Sequence, residues 1–145
     1  NFYPDRLVDL CSFVEVKPAI NQVETHIFQQ QTVAHEYMEK YGVQHESWGP
    51  FAEGRKDFFT NPVLNEIGKK HDKSAAQVAL RFLLQSDVVV IPKSTHKERM
   101  EENINVFDFT LDASDMNAIQ ALDEKESLFF SHYDPAIAEM MIKLH

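Results

Sequence analysis

A continuous run of four apolar residues, Val88 to Ile91, is the feature that most constrains how this chain can fold. Such a run is typical of a strand buried on both faces, and these strands occur in parallel sheets that helices cover on each side. A helical pattern precedes the run, and Thr95 with Glu98 has the spacing of a capping box directly after it. The run therefore predicts an α/β fold built around parallel strands.

Two further strand candidates, Ala19 to Glu24 and Val43 to Trp48, alternate with helical patterns earlier in the chain. Strand and helix in alternation build both open parallel sheets and (β/α)8 barrels, and periodicity alone leaves that choice open. The tail from Ser127 onward is expected to be aromatic and irregular. Helices are predicted over Asp5 to Phe13, over Phe28 to Tyr41 with a stop at Gly42, from Pro62 behind the cap Asn61, from Ala75 behind the capping box of Ser74 and Gln77, and behind a cap near Asp112.

The charge balance limits the partners of the chain. Its 145 residues carry 23 acidic and 14 basic side chains, a formal net charge of -9, which repels the phosphate backbone of nucleic acids and the anionic surface of membranes. The longest apolar run is far shorter than the roughly 18 residues that cross a bilayer. We therefore expect no nucleic-acid partner and no membrane span.

The cysteine and histidine patterns point to neither a disulfide framework nor a metal site. The single cysteine, Cys11, lies on the apolar stripe of a predicted helix and is expected to be an inert packed thiol in a reducing cytoplasm. The seven histidines lack spacings such as two at i and i+4 beside a glutamate, so we expect no metal.

The segment after Ile91 combines the end of a strand with positive charge. Lys93, Ser94 and Arg99 surround a predicted helix start, whose free backbone N–H groups and dipole attract a phosphate. Glu102 and Asn103 lie three and four residues beyond Arg99 on the same helical face, which extends the hypothesis to a nucleotide. An ordinary cap with a solvated basic face is an equally weighted interpretation.

Two other segments end predicted strands with polar or aromatic side chains. Alternation along the first strand sends Gln22 and Glu24 to the same side, where they could line a pocket wall near His26. A carboxylate that satisfies loop backbone groups is the more common outcome, so Glu24 receives no catalytic role. Trp48, followed by Gly49 and Phe51, could stack on a planar ring, or it could simply pack against the core.

These segments, taken in order, resemble the C-terminal part of an aldo/keto reductase, close to the bacterial 2,5-diketo-gluconate reductase-like members. The resemblance runs from Asn1 to about Pro135. Any one motif is weak evidence, whereas the ordered set is strong. The motifs are Asn1-Phe2, Lys17-Pro18-Ala19-Ile20-Asn21-Gln22-Val23-Glu24, Trp48-Gly49-Pro50-Phe51, Ile91-Pro92-Lys93-Ser94, Arg99, Glu102-Asn103, Val106-Phe107-Asp108-Phe109, Ser127-Leu128-Phe129-Phe130 and Asp134-Pro135.

The resemblance implies a (β/α)8 barrel that reduces aldehydes and ketones by hydride transfer from NADPH, without a metal. NADPH is expected rather than NADH, although Thr95 and His96 occupy positions where family members vary. Residue by residue, the resemblance assigns Asn1 and Gln22 to the nicotinamide carboxamide, Trp48 to stacking on the nicotinamide ring, Gly49 and Phe51 to the loop along the pyrophosphate, Lys93, Ser94 and Arg99 to the 2′-phosphate, and Glu102 and Asn103 to the adenine.

The family's catalytic Asp, Tyr, Lys and His motifs are missing from the sequence, so no catalytic residue is assigned. A complete barrel has typically about 250 residues. We therefore expect residues 1–145 to be a partial barrel of about three parallel strands with surrounding helices, the cofactor-binding part of a longer cytoplasmic enzyme that acts on a small carbonyl substrate. Alone, the chain is expected to be inactive, to retain nucleotide affinity at most, and to self-associate through uncovered strand edges and apolar faces.

Overall fold

Three parallel strands form the sheet at the centre of the fold, in the order β1 (Ile20–Glu24), β2 (Gln44–Trp48) and β3 (Val89–Val90). The computed structural model describes residues 1–143. Register pairs Glu24 with Trp48 and Ser47 with Val90, so the carboxyl ends of the strands meet at one edge of the sheet. This arrangement confirms the α/β fold with three parallel strands.

Helices surround the sheet, and two short 3₁₀ helices, Ala52–Gly54 and Phe58–Thr60, follow β2. Several helix starts confirm the predicted caps. The Asn61 side chain accepts the N–H groups of Val63 and Leu64, and Ser74 forms a reciprocal capping box with Gln77. The helices are α1 (Pro4–Phe13), α2 (Thr32–Tyr41), α3 (Pro62–His71), α4 (Ala75–Gln85), α5 (Lys97–Ile104), α6 (Ala113–Gln120) and α7 (Pro135–Ile142).

Apolar side chains pack against the sheet in two clusters. One joins α1 and α2 to β1 and includes Cys11, which is buried as predicted. The other joins α3, α4 and α6, with Phe58 and Leu83 almost fully buried. Among the described residues, no helix is long and apolar enough to cross a membrane.

The predicted start of α2 at Phe28 is wrong, because the helix begins four residues later, at Thr32. The intervening segment bonds instead to the chain that follows α6. The Phe28 carbonyl accepts the Glu124 N–H at 2.9 Å, and the Gln30 N–H donates to the Asp123 carboxylate at 3.1 Å. These bonds take the backbone groups that a helical turn would use.

The tail is not irregular throughout, since α7 begins at Pro135 behind the cap Asp134. The predicted capping box of Thr95 and Glu98 is also wrong. Helix α5 begins at Lys97, and the side chain that accepts a backbone N–H near this start is Ser94, whose Oγ lies 3.1 Å from the His96 nitrogen.

The run Val88 to Ile91 forms a shorter strand than predicted, and it is not buried on both faces. Only Val89 and Val90 pair with β2, at the edge of the sheet. Val88 is 4% exposed, whereas Val89 and Ile91 are 39% and 49% exposed. The continuous run therefore predicted the strand and its parallel pairing, but the face that carries Val89 and Ile91 lies open in this chain.

Candidate functional site

A cavity of about 340 Å³ opens where the segment after β2, the start of α4 and helix α5 meet. Five of the ten predicted site residues line it, from two separate parts of the chain. Sequence reasoning missed the other lining residues, because they come from α3, the start of α4 and the second 3₁₀ helix. The predicted residues are Phe51, Ser94, Arg99, Glu102 and Asn103, and the others are Phe59, Asn65, Ser74, Ala75 and Ala76.

Close packing of α3 against the start of α4 brings Ser74 to the cavity. A Cβ added at Gly68 would lie 2.4 Å from the Lys73 carbonyl oxygen, so only glycine allows this approach without displacing the backbone. The Ser74 hydroxyl then donates to the carboxylate of Glu102 on α5. Gln77 on α4 also bonds to α5, because its side-chain amide donates to the Glu102 carbonyl at 3.1 Å. The capping box of α4 is therefore also one wall of the cavity.

The spacing of Arg99, Glu102 and Asn103 on α5 places all three side chains at the cavity, as their shared helical face predicts. Ser94 reaches the cavity from the loop before the helix. Lys93, next to Ser94, is exposed on this loop outside the cavity lining. The result is a polar wall with a guanidinium, facing an aromatic wall where the Phe51 and Phe59 rings lie 5.8 Å apart.

A second group of predicted residues lies at the carboxyl edge of β1 and β2. The Trp48 indole N–H donates to the Asn1 side-chain oxygen at 2.6 Å, and the Asn1 amino group donates to the Gln22 carbonyl at 2.7 Å. The Gln22 side-chain amide donates to Glu46 at 2.6 Å. This bond uses one of the two amide hydrogens, so the Gln22 amide keeps its oxygen as an acceptor and one N–H as a donor.

Two phenylalanines cover the Trp48 ring. Phe129 meets it edge-on with ring centroids 5.1 Å apart, and Phe130 stacks on it at 6.3 Å and 26°. The space between the Trp48 and Phe130 rings is too narrow for a third ring. A planar ligand that stacks on the face of Trp48 that Phe130 covers would therefore displace Phe130. Gly49, at φ +64, turns the chain away from Trp48 toward Phe51 and the cavity.

Glu24 holds the Phe129 and Phe130 segment in place. Its buried carboxylate accepts the Leu128 N–H at 2.9 Å and the Ser127 hydroxyl, and it lies 3.0 Å from the ring nitrogen Nε2 of His26. Burial would raise the pKa of Glu24, but hydrogen bonds from His26, Ser127 and the Leu128 N–H hold it below its ordinary value. Glu24 therefore has the structural role expected from the sequence, in which its carboxylate satisfies the polar groups of a loop.

Within residues 1–143, no group of three or more His, Cys, Asp or Glu side chains is arranged to hold a metal ion. The two groups of predicted residues together make a polar, partly cationic cavity and an amide and aromatic cluster at one edge of a parallel sheet. In open α/β sheets and (β/α)8 barrels, ligands bind at this edge. The fold thus defines an α/β protein of the parallel-sheet class with a candidate site at the carboxyl edge of its sheet.

Comparison with known proteins narrows this class. The model of the aldo/keto reductase family matches residues 1–124. A glyoxal reductase of Bacillus subtilis is 43% identical over 126 residues, which are 87% of this chain and 45% of that protein. The chain belongs to the aldo/keto reductase family.

Solved structures agree with this assignment. An aldo-keto reductase named MGS-M4, from a deep-sea metagenome library of the Medee basin, superposes with a TM-score of 0.88 at 37% identity, over 92% of this chain and 49% of that one. A Gox0644 variant solved in complex with NADPH gives a TM-score of 0.84 at 37% identity, over 90% of this chain and 48% of that one. The chain spans about half the length of the relatives it matches.

Proposed function

We propose that this chain carries the NADP(H)-binding part of an aldo/keto reductase that reduces aldehydes or ketones by hydride transfer. One observation carries the proposal: five residues that the resemblance assigns to the cofactor converge on one cavity. Four of them belong to the 2′-phosphate and adenine end, and Phe51 belongs to the loop along the pyrophosphate. Arg99 and Ser94 supply a charged and a hydroxyl donor for the phosphate, and the Phe51 and Phe59 wall offers an apolar surface to the adenine. Lys93, exposed on the same loop, adds a second cation.

The nicotinamide end of the cofactor is proposed to lie at Asn1, Gln22 and Trp48. The free oxygen of the Gln22 amide suits the amino group of a carboxamide, and Asn1 offers a second amide. Gly49 and Phe51 connect this end to the cavity, along the course proposed for the pyrophosphate. When bound, the cofactor supplies the hydride, and the residues of this chain bind and orient it.

Replacement of Arg99 tests the cavity assignment. We expect Arg99→Ala to weaken binding of 2′-phosphorylated ADP about 10- to 100-fold, because a hydrogen bond to a charged group contributes about 1.5–3 kcal/mol. Binding of ADP without the 2′-phosphate should change little. Calorimetric titration of both nucleotides measures the difference.

Arg6→Ala is the matched control, since Arg6 is an exposed arginine on α1 away from the cavity. Equal losses for both nucleotides, or for both variants, would contradict a 2′-phosphate site at Arg99. Failure of the wild-type chain to bind either nucleotide at millimolar concentration would overturn the proposed function as a whole.

Catalysis itself is proposed to need residues that this chain does not supply, because the family's catalytic motifs are missing from its sequence. We expect the 145-residue chain to leave aldehydes unreduced in the presence of NADPH, measured as constant absorbance at the NADPH band. Turnover at the rate of a full-length relative would show that the catalytic groups lie within this chain.

A second proposal concerns assembly, and the open face of the sheet favours it. Ile20, Val89 and Ile91 are 52%, 39% and 49% exposed, and apolar surface of this kind drives association with a second copy. We expect sedimentation velocity to detect dimers or larger species whose fraction falls in Ile91→Lys. Val33→Lys, on the exposed surface of α2 at 57% exposure, is the control. A monomer at high concentration would contradict self-association.

A further inference from the structure

Two histidines from different elements meet at the amino end of the sheet, away from the proposed cofactor site. His35 on α2 and His45 on β2 place their Nδ1 atoms 3.0 Å apart, with ring centroids 5.2 Å apart. His45 is 1% exposed, and His35 is partly buried. His45 lies three positions before Trp48, about 10 Å along the strand. The pair is therefore independent of the proposed cofactor function.

Hydrogen bonds hold the His45 ring with Nδ1 toward His35. The Nε2 atom lies 2.8 Å from the Thr25 hydroxyl, which also lies 3.2 Å from the Val23 carbonyl. With a metal on Nδ1, the Nε2–H of His45 would donate to this hydroxyl, and the hydroxyl would donate to Val23. A partner that fixes the outer ring nitrogen in this way is the usual support of a metal-ligating histidine. The metal would replace the hydrogen that the two Nδ1 atoms share in the bond between them.

The surface around the pair gives a cation a way in. His35 and His45 line a cavity of about 250 Å³ between the end of α2 and the start of β2. Glu39, one helical turn beyond His35, and Asp87 line the same cavity. Their carboxylates make the entrance electronegative, which raises the local concentration of cations.

We propose that His35 and His45 form a two-histidine site for a divalent transition-metal ion that prefers square-planar or tetragonal ligands, with Cu²⁺ bound more tightly than Ni²⁺. With metal–nitrogen bonds of about 2.0–2.1 Å, nitrogens 3.0 Å apart subtend about 94° at the metal. This angle fits neighbouring positions of a square plane, whereas a tetrahedral ion would hold the nitrogens about 3.3 Å apart. Water fills the remaining positions, since the described residues place no third protein ligand there.

This proposal departs from the expectation of no metal drawn from histidine spacing. The two ligands are ten residues apart and belong to a helix and a strand, so neither an i, i+4 spacing nor any other local motif reveals them. The packing of α2 on β2 brings them together.

The test uses the whole chain, stripped of metal with a chelator and titrated with CuCl₂ and with NiCl₂ by calorimetry. We expect one tight equivalent of Cu²⁺ and an electron paramagnetic resonance spectrum with two equatorial nitrogens. His35→Ala should weaken Cu²⁺ binding at least 10-fold and reduce the spectrum to one nitrogen. His96→Ala, at an exposed histidine, should bind as the wild type does.

Because His45 is buried, His45→Gln is used only after circular dichroism shows that it folds, and His35→Ala alone is sufficient for the test. Wild-type affinity in His35→Ala, a spectrum with a single nitrogen in the wild type, or no stoichiometric Cu²⁺ binding would each overturn the proposal. Loss of the tight equivalent in His35→Ala but not in His96→Ala would support it.

Discussion

Glu24→Ala is expected to lower the free energy of unfolding by about 3–5 kcal/mol, because three donors lose the buried carboxylate that accepts from them. The carboxylate is 2% exposed, and its loss leaves the Leu128 N–H, the Ser127 hydroxyl and His26 without their acceptor. Each unsatisfied buried donor costs about 1–3 kcal/mol. Chemical denaturation followed by circular dichroism measures the loss.

The same variant should change the surroundings of Trp48, the only tryptophan in the chain. Without Glu24 the segment from Ser127 loses its anchor, and Phe129 and Phe130 no longer pack firmly on the indole. We expect the native fluorescence of Trp48 to shift to longer wavelength. Ser127→Ala, which removes one donor and keeps the carboxylate, should have a smaller effect on both measurements.

Glu126→Ala provides the control, because Glu126 is an exposed glutamate beside the same segment. It should change neither the free energy of unfolding nor the emission of Trp48. If Glu24→Ala unfolds with the stability of Glu126→Ala, the carboxylate does not anchor the segment. A stability loss without a fluorescence shift would mean that Phe129 and Phe130 hold their places by packing alone.

Local signals explain which parts of the fold the sequence could predict. Asn61 with Pro62, and Ser74 with Gln77, fix helix starts through bonds within four residues, and both starts agree with the structure. The predicted start of α2 is wrong because residues about 90 positions away bind the backbone around Phe28 and Gln30. The pattern of neighbouring residues carries no information about these distant partners.

In the candidate site, too, the sequence predicts the residues that local spacing brings together and misses those that tertiary packing adds. The spacing of Arg99, Glu102 and Asn103 on one helical face predicts their convergence, because that spacing is itself local. Ser74 and Asn65 lie more than twenty residues earlier, and only the packing of α3, α4 and α5 brings them to the cavity. The sequence predicts Ser74 as a helix cap, and nothing in the capping pattern indicates that its hydroxyl also reaches Glu102.

The second large effect is expected in acid. Between pH 6.5 and about 4 the wild-type chain should lose up to about 3 kcal/mol of unfolding free energy through His45 alone. The folded-state pKa of about 4 lies below the ordinary value of 6.5, because burial disfavours the charged ring. In this window the unfolded chain binds a proton at His45 and the native chain does not. Stability therefore falls as pH falls, at up to about 1.4 kcal/mol per pH unit.

Other groups respond to pH in this range or just below it, so the difference between variants isolates His45. Burial also lowers the pKa of His132. Four carboxyl groups with lowered pKa values lose stabilising interactions at the acid end of the range and below it: Glu24, Asp108, Asp112 and Asp115. Subtracting the unfolding free energies of His45→Gln from those of the wild type at each pH cancels these contributions. The remaining curve should be flat above pH 6.5 and should fall toward pH 4.

His96→Gln removes an exposed histidine and should leave the wild-type curve unchanged. Parallel curves for the wild type and His45→Gln would mean that the buried ring takes up its proton as readily in the folded chain as in the unfolded one. The surroundings of His45 argue against that result. The ring is 1% exposed, so a second proton would place a charge out of contact with water, and it would do so 3.0 Å from the Nδ1 of a second histidine, His35.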